Sequence, residues 1–177
     1  EDPCCNIFIM SFLHIVIGVF VVLKSKHAMA PIERSAVVSA TPETIWKTCF
    51  APMKFEVWDE DVKEMTDVSG PCENGTTFTF VMKSGDMKVP QTLSNVKENE
   101  SLTFSGRFMG VNSVGTLTMT AISEEEEYKT KIDYRFDLEG PLGFVAKLVK
   151  KKAVVEGTEL GLKNIVSMSE EAQKAGK

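Results

Sequence analysis

Between residues 61 and 138 apolar and polar side chains alternate with a period of two, and from residue 144 to about residue 172 the chain runs without a proline at helical period. These two periodicities constrain the fold more than any motif, because a strand repeats its faces every second residue and a helix about every 3.6. Segments near 61–68, 76–83, 87–96, 101–109, 112–122 and 128–138 read as strands, separated by SGPCENG, SGD, ENE, a Gly110/Asn112 turn and the acidic tip SEEEE. Short connections rich in turn residues predict antiparallel neighbours. Residues 32–39 (IERSAVVS) add a first strand, for seven in all. Pro90 has no N–H to offer a ladder, which predicts an edge or a bulge for its strand.

The alternation also assigns faces. Phe78, Phe80 and Met82 share one side, as do Leu102, Phe104 and Phe108. Between 128 and 138, Ile132, Tyr134, Phe136 and Leu138 oppose Lys129, Lys131, Asp133, Arg135 and Asp137. A sheet with one wet face needs a cover on the other.

After the first strand, Thr41 is placed to cap a helix, Pro42 suits its first position, and Glu43 complements the positive end of its dipole. This helix carries Ile45, Trp46, Cys49 and Phe50 and breaks at Ala51-Pro52, with a further short turn to Phe55. The cover for the sheet comes last. Beyond Gly140-Pro141-Leu142-Gly143, the residues Phe144, Leu148, Val155, Leu162 and Val166 fall on one stripe of a long helix. Glu159 interrupts that stripe. Either its carboxylate faces a cavity, or it turns outward to Lys163 four residues on. The spacing Gly157-x-x-x-Gly161 predicts a close approach to the sheet or a ligand, and Lys150-Lys151-Lys152 a solvated face.

Charge and residue counts exclude several functions. The net charge of −5 disfavours a phosphate backbone as partner, so no nucleic-acid ligand is expected. His14 and His27 are the only histidines and both precede the domain. Serine–histidine, cysteine–histidine and histidine-ligated metal chemistry therefore cannot be assembled from Ala28 onward. The cysteines, Cys4, Cys5, Cys49 and Cys72, show no metal or redox spacing. Cys49 and Cys72 are open to two readings, a bridge in an oxidising compartment or two thiols in a reducing one.

Residues 1–28 form a hydrophobic leader, and 29–177 the domain. The apolar run at 7–23 is followed by Lys24 and Lys26, and three readings stand. A membrane anchor fits the charges, acidic before and basic after, and leaves the domain on the cytoplasmic side. A secretory signal would be cut at Ala28-Met29-Ala30, against an acidic start and the following Pro31. Third, translation starts at Met29. The expected location is cytoplasmic, free or held at a membrane through residues 7–23.

The order strand, broken helix, six-stranded antiparallel run and long terminal helix resembles the helix-grip fold of the START/Bet v 1-like (SRPBCC) superfamily. The local text VVSATPETIWKT, VWDEDV, GTTFTF and EGPLGFVAKLVKKKAVVEGTELGLKNI resembles its polyketide cyclase/dehydrase branch, over about residues 31–170. The resemblance implies an α+β fold, a seven-stranded antiparallel curved sheet wrapped around a long C-terminal helix. It also implies a cavity between sheet and helix for a small hydrophobic partner such as a lipid, sterol or polyketide, with no cofactor or metal, and catalysis in only some members.

The faces derived above nominate the lining: Phe78, Phe80, Met82, Phe104, Phe108, Leu117, Met119, Tyr134 and Phe136 from the sheet, with Leu148, Val155, Glu159 and Leu162 from the helix. Entry is expected near 70–75, 84–86 or 109–113. Two alternatives to simple carriage remain: a metal-free cyclase or dehydratase using Tyr134 and Glu159 or another acidic partner, and a protein-interaction module of the same fold.

Overall fold

Hairpin turns too short for a crossover force successive strands to lie side by side, and the computed structural model, which describes residues 30–124 and 127–176, shows the result. Strands β1 (Ile32–Val38), β2 (Val62–Thr66), β3 (Thr77–Met82), β4 (Lys88–Lys97), β5 (Ser101–Phe108), β6 (Val111–Glu124) and β7 (Glu127–Glu139) form one antiparallel sheet in the order β1-β7-β6-β5-β4-β3-β2. Only β1 is out of sequence, and it closes the far edge beside β7 with Ile32 opposite Phe136. The β5–β6 hairpin turns on Met109 and Gly110, both with positive φ, the geometry that matches strand twist in a two-residue loop. The segment 1–28 expected to be a leader, including the apolar run at 7–23, lies outside the described residues. Among the described residues no helix is long and apolar enough to cross a membrane.

Helix α1 (Pro42–Ile45) starts where its capping residues place it: the Thr41 hydroxyl accepts the Thr44 N–H at 3.1 Å. It continues through one π-helical turn (Trp46–Phe50), closed by the Ala51 N–H on the Trp46 carbonyl, and stops at Pro52. A 3₁₀ turn (Phe55–Val57) then leads into β2. Helix α2 (Gly143–Ala175) runs under the concave face. Polar side chains clamp its C-terminal half to the first helix and the segment after it. Gln173 Oε1 accepts from Thr41 N and Thr44 Oγ1, Cys49 Sγ meets Ser169 Oγ at 3.6 Å, and Asn164 Nδ2 donates to the Trp58 carbonyl.

The core gathers at this clamped end. Phe55 lies 5.2 Å from Trp58, 5.7 Å from Phe78 and 5.9 Å from Phe104, ring centre to ring centre. Leu93, Leu102, Leu117, Ile132 and Ile165 close around them, all buried. Cys49 and Cys72 are free thiols, the first inside the core and the second on the 70–75 loop, packed against the core's edge.

Pro90 corrects one expectation. Its strand is interior, between β3 and β5, not an edge, and the register shift it carries falls between Ser94 and Lys97 rather than at the proline. The proline is tolerated because the β4–β5 pairing ends at Gln91 opposite Gly106, one residue short of it. The Leu93 N–H bonds Thr76 on the β3 side, so alternation points the Pro90 nitrogen away from β3, where no ladder bond is needed.

Candidate functional site

The sheet is divided along its strands. Toward one end the broken helix fills the concave face; toward the other only the N-terminal half of α2 covers it, and a cavity of about 310 Å³ remains. Phe80 and Met82 of β3, Val89 and Gln91 of β4, Phe104 and Phe108 of β5, Val111 and Ser113 of β6, and Tyr134, Phe136 and Leu138 of β7 line it from the sheet. Val154, Gly157 and Thr158 line it from the helix, and Trp58, Asp59, Asp61 and Val62 from the segment entering β2. Exposed Met87 and Met109 stand at its margin.

Six of the thirteen nominated residues therefore share this cavity: Phe80, Met82, Phe104, Phe108, Tyr134 and Phe136. The others lie elsewhere. Phe78, Leu117, Met119 and Leu162 are buried, but in the packed core at the clamped end. Leu148 is 57% exposed, and Val155 is half-buried without lining the cavity. The Glu159 side chain is 54% exposed and its Oε1 accepts from Arg34 Nε of β1 at 2.7 Å. Its partner is thus Arg34, not Lys163, and it does not face Tyr134 across the cavity. The helix is rotated from the expected phase, and its buried face carries Thr158, Gly161 and Ser169 beside Leu162 and Ile165. A Cβ on Gly157 would sit 2.5 Å from Asp61 Oδ2, so a side chain there would require the exposed Asp61 carboxylate to swing aside.

Of the three expected entry loops, the 109–113 turn contributes Met109, Val111 and Ser113, and Met87 adjoins 84–86. The 70–75 loop does not reach the cavity; Pro71, Cys72, Glu73 and Asn74 border a separate, open hollow with Trp46.

The polar groups of the cavity fall into two sets. Asp59 Oδ1 accepts the Asp61 N–H at 3.1 Å, a local turn that fixes the carboxyl at the cavity wall. Burial pushes its carboxyl up to about 6, opposed by that N–H and by Lys83, and reinforced by the charges of Asp61 and Glu60. Tyr134 is 4% exposed. Burial first, then the charges of Asp59 and Asp61, hold its phenol well above the usual range, so it stays protonated. No hydrogen bond engages its hydroxyl among the described residues.

The second set lies on the sheet. Gln91 stretches flat over Gly106, where a Cβ would meet its amide at 2.6 Å, and Nε2 donates to Ser113 Oγ at 3.5 Å. Its Oε1 is buried without a partner. Phe104 lies over Gly115 in the same way, with its ring edge 2.1 Å from where a Cβ would stand. These two glycines let large side chains lie along the sheet, and so help to leave volume above them.

Asp59, Asp61, Gln91, Ser113, Val154, Gly157 and Thr158 are among the lining residues that sequence patterning missed, as are Trp58, Val62, Met87, Val89, Met109, Val111 and Leu138. Gln91 carried a readable signal, a polar residue in register with the apolar Val89 and Leu93. Among the described residues no group of three or more His, Cys, Asp or Glu is placed to hold a metal ion.

The family model described as polyketide cyclase/dehydrase and lipid transport matches residues 29–170. Solved structures with the same fold include a hypothetical protein from Helicobacter pylori (9% identity, TM-score 0.65, covering 82% of this chain and 91% of that one). Protein XoxI from Bacillus cereus aligns at 14% identity and TM-score 0.58, over 78% and 94% of the two chains. A START superfamily protein from Mycobacterium smegmatis aligns at 10% and 0.50, over 84% and 99%. At such identities the likeness is one of fold. Comparison with curated proteins finds no match.

Proposed function

Because this chain belongs to the polyketide cyclase/dehydrase and lipid transport family, whose members bind hydrophobic ligands, we propose that it binds and carries a small, largely apolar molecule in the cavity between its sheet and α2. The observation that carries this reading is the unfilled, mostly aromatic and aliphatic space of about 310 Å³ beside an otherwise tightly packed core. Protein interiors leave few voids above the size of a water molecule. This one lies at the low end of small-molecule pockets, about 300–1,000 Å³. A guest burying roughly 200 Å² of apolar surface would gain about 5 kcal/mol before the costs of association.

The lining proposed for contact is Phe80, Met82, Phe104, Phe108, Tyr134 and Phe136 with Val154 opposite. Native mass spectrometry of the purified chain is expected to show a bound apolar molecule, and Val154→Trp to expel it by filling the space. A protein that is empty as isolated, and takes up apolar probes no better than Val154→Trp, overturns the reading.

One observation favours a second reading as an acid–base enzyme: Asp59, rather than Glu159, shares the cavity with the Tyr134 hydroxyl. A carboxyl poised near 6 is suited to proton transfer around neutral pH. Under that reading Tyr134→Phe abolishes turnover of a bound polyketide-like substrate; under carriage alone there is no turnover to lose.

A further inference from the structure

Which molecules the cavity accepts is written in its unmet polar capacity. Among the described residues that line it, the only charged ones are Asp59 and Asp61; no lysine, arginine or histidine is present. The cation acting on Asp59 is Lys83, which does not line the cavity and is 3.3 Å from Glu60 at the surface. The remaining vacancies are of the same kind. Gln91 Oε1 is a buried acceptor with no donor, and Asp59 spends one oxygen on the Asp61 N–H while no hydrogen bond among the described residues engages the other. Thr158 has already given its proton to the Val154 carbonyl at 2.7 Å. The Tyr134 hydroxyl, on a buried side chain and with no hydrogen-bond partner among the described residues, is able to donate as well as accept.

From this surplus of acceptors and negative charge we infer that the cavity selects an apolar molecule ending in an amine, held as an ammonium between Asp59, Asp61 and the Tyr134 oxygen. An ammonium presents three donors to a site that offers three acceptors, and its charge compensates two neighbouring carboxylates that have no cation in the cavity. A hydroxyl could satisfy only one carboxylate while taking the tyrosine proton. A carboxylate end, as on a fatty acid, would bring a third negative charge into a low-dielectric space and meet repulsion. Asp61 is exposed, so the ammonium would sit where the cavity reaches water, with the apolar body directed toward Phe80, Phe104 and Phe136. Burial first, and then the neighbouring charge of Asp61, raise the Asp59 carboxyl against the pull of Lys83, and an ammonium beside it would offset both. This inference rests on the carrier reading above and narrows it.

Isothermal titration of the full chain with phenylbutylamine, phenylbutanol and phenylbutyrate, which share one apolar body, separates the two claims. The amine is expected to bind at least about tenfold tighter than the alcohol, and the carboxylate weakest. In the double variant Asp59→Asn/Asp61→Asn, checked for folding by circular dichroism, amine affinity should fall to that of the alcohol. In Glu159→Gln, which alters a carboxylate on α2 that lies outside the cavity, the amine preference should persist. Alcohol or carboxylate binding as tight as amine, or an amine preference that survives loss of both aspartates, overturns the inference and leaves carriage standing. If none of the three binds, and Val154→Trp behaves identically, both fall.

Discussion

Replacing Asp59 with asparagine should stabilise the protein at neutral and alkaline pH, because the aspartate is ionised there at a cost the asparagine avoids. Burial raises this carboxyl from 3.8 to about 6 in the folded state, whereas the unfolded chain titrates near the ordinary value. With the folded value above the unfolded one, the folded state holds the proton longer. The group therefore costs nothing below about pH 4, its penalty grows between about pH 4 and 6, and it is fully present above. Two units at roughly 1.4 kcal/mol each amount to about 3 kcal/mol, and contact with cavity water lowers the expectation to about 2 kcal/mol. Asparagine keeps the oxygen that accepts the Asp61 N–H, so the local turn survives the change. Urea unfolding followed by fluorescence of the buried Trp46 and Trp58, run on both proteins from about pH 4 to pH 8, measures the difference directly. The advantage of the Asp59→Asn variant should grow with rising pH and level off above about pH 6.5. A difference that is independent of pH, or largest in acid, would refute the claim that an ionised, desolvated carboxylate faces the cavity.

Three further substitutions test the packing around the site. Thr41→Ala removes the cap on the Thr44 N–H and should cost about 1 kcal/mol in chemical denaturation. Gly115→Ala forces Phe104 off the sheet; a loss of about 1–3 kcal/mol in thermal unfolding, together with weaker uptake of an apolar probe, is expected as the ring swings into the cavity. Glu159→Ala breaks only the exposed pair with Arg34, so stability should drop by less than about 1 kcal/mol and probe binding should not change. A large loss of binding in this variant would place Glu159 in the site after all.

Much of the architecture was legible because it is local. Strand faces such as Phe78/Phe80/Met82 and Ile132/Tyr134/Phe136 follow from a period of two that needs no knowledge of the partner strand, and short hairpins pin the register. The start of α1 was equally readable, since Thr41 and Pro42 act on backbone groups immediately beside them. The candidate site was legible only in part. Phe80, Met82, Phe104, Phe108, Tyr134 and Phe136 were identified from their face, but so were Phe78, Leu117 and Met119, because a packed core and an empty cavity have the same apolar lining.

By itself, then, the sequence determined the seven strands and their antiparallel hairpins, though not the place of β1 beside β7, together with the capped and broken first helix, the long covering helix and the lack of histidines from Ala28 onward. Which half of the concave face is hollow was decided in three dimensions, by where Phe50, Phe55 and Trp58 insert. So was the rotation of α2, which turns Gly157 and Thr158 inward and Glu159 out to Arg34. Helix phase depends on the closest approach of surfaces far apart in the chain, and here Thr158, Gly161, Leu162, Ile165 and Ser169 form the buried face of α2 while Leu148 of the more hydrophobic stripe stands exposed.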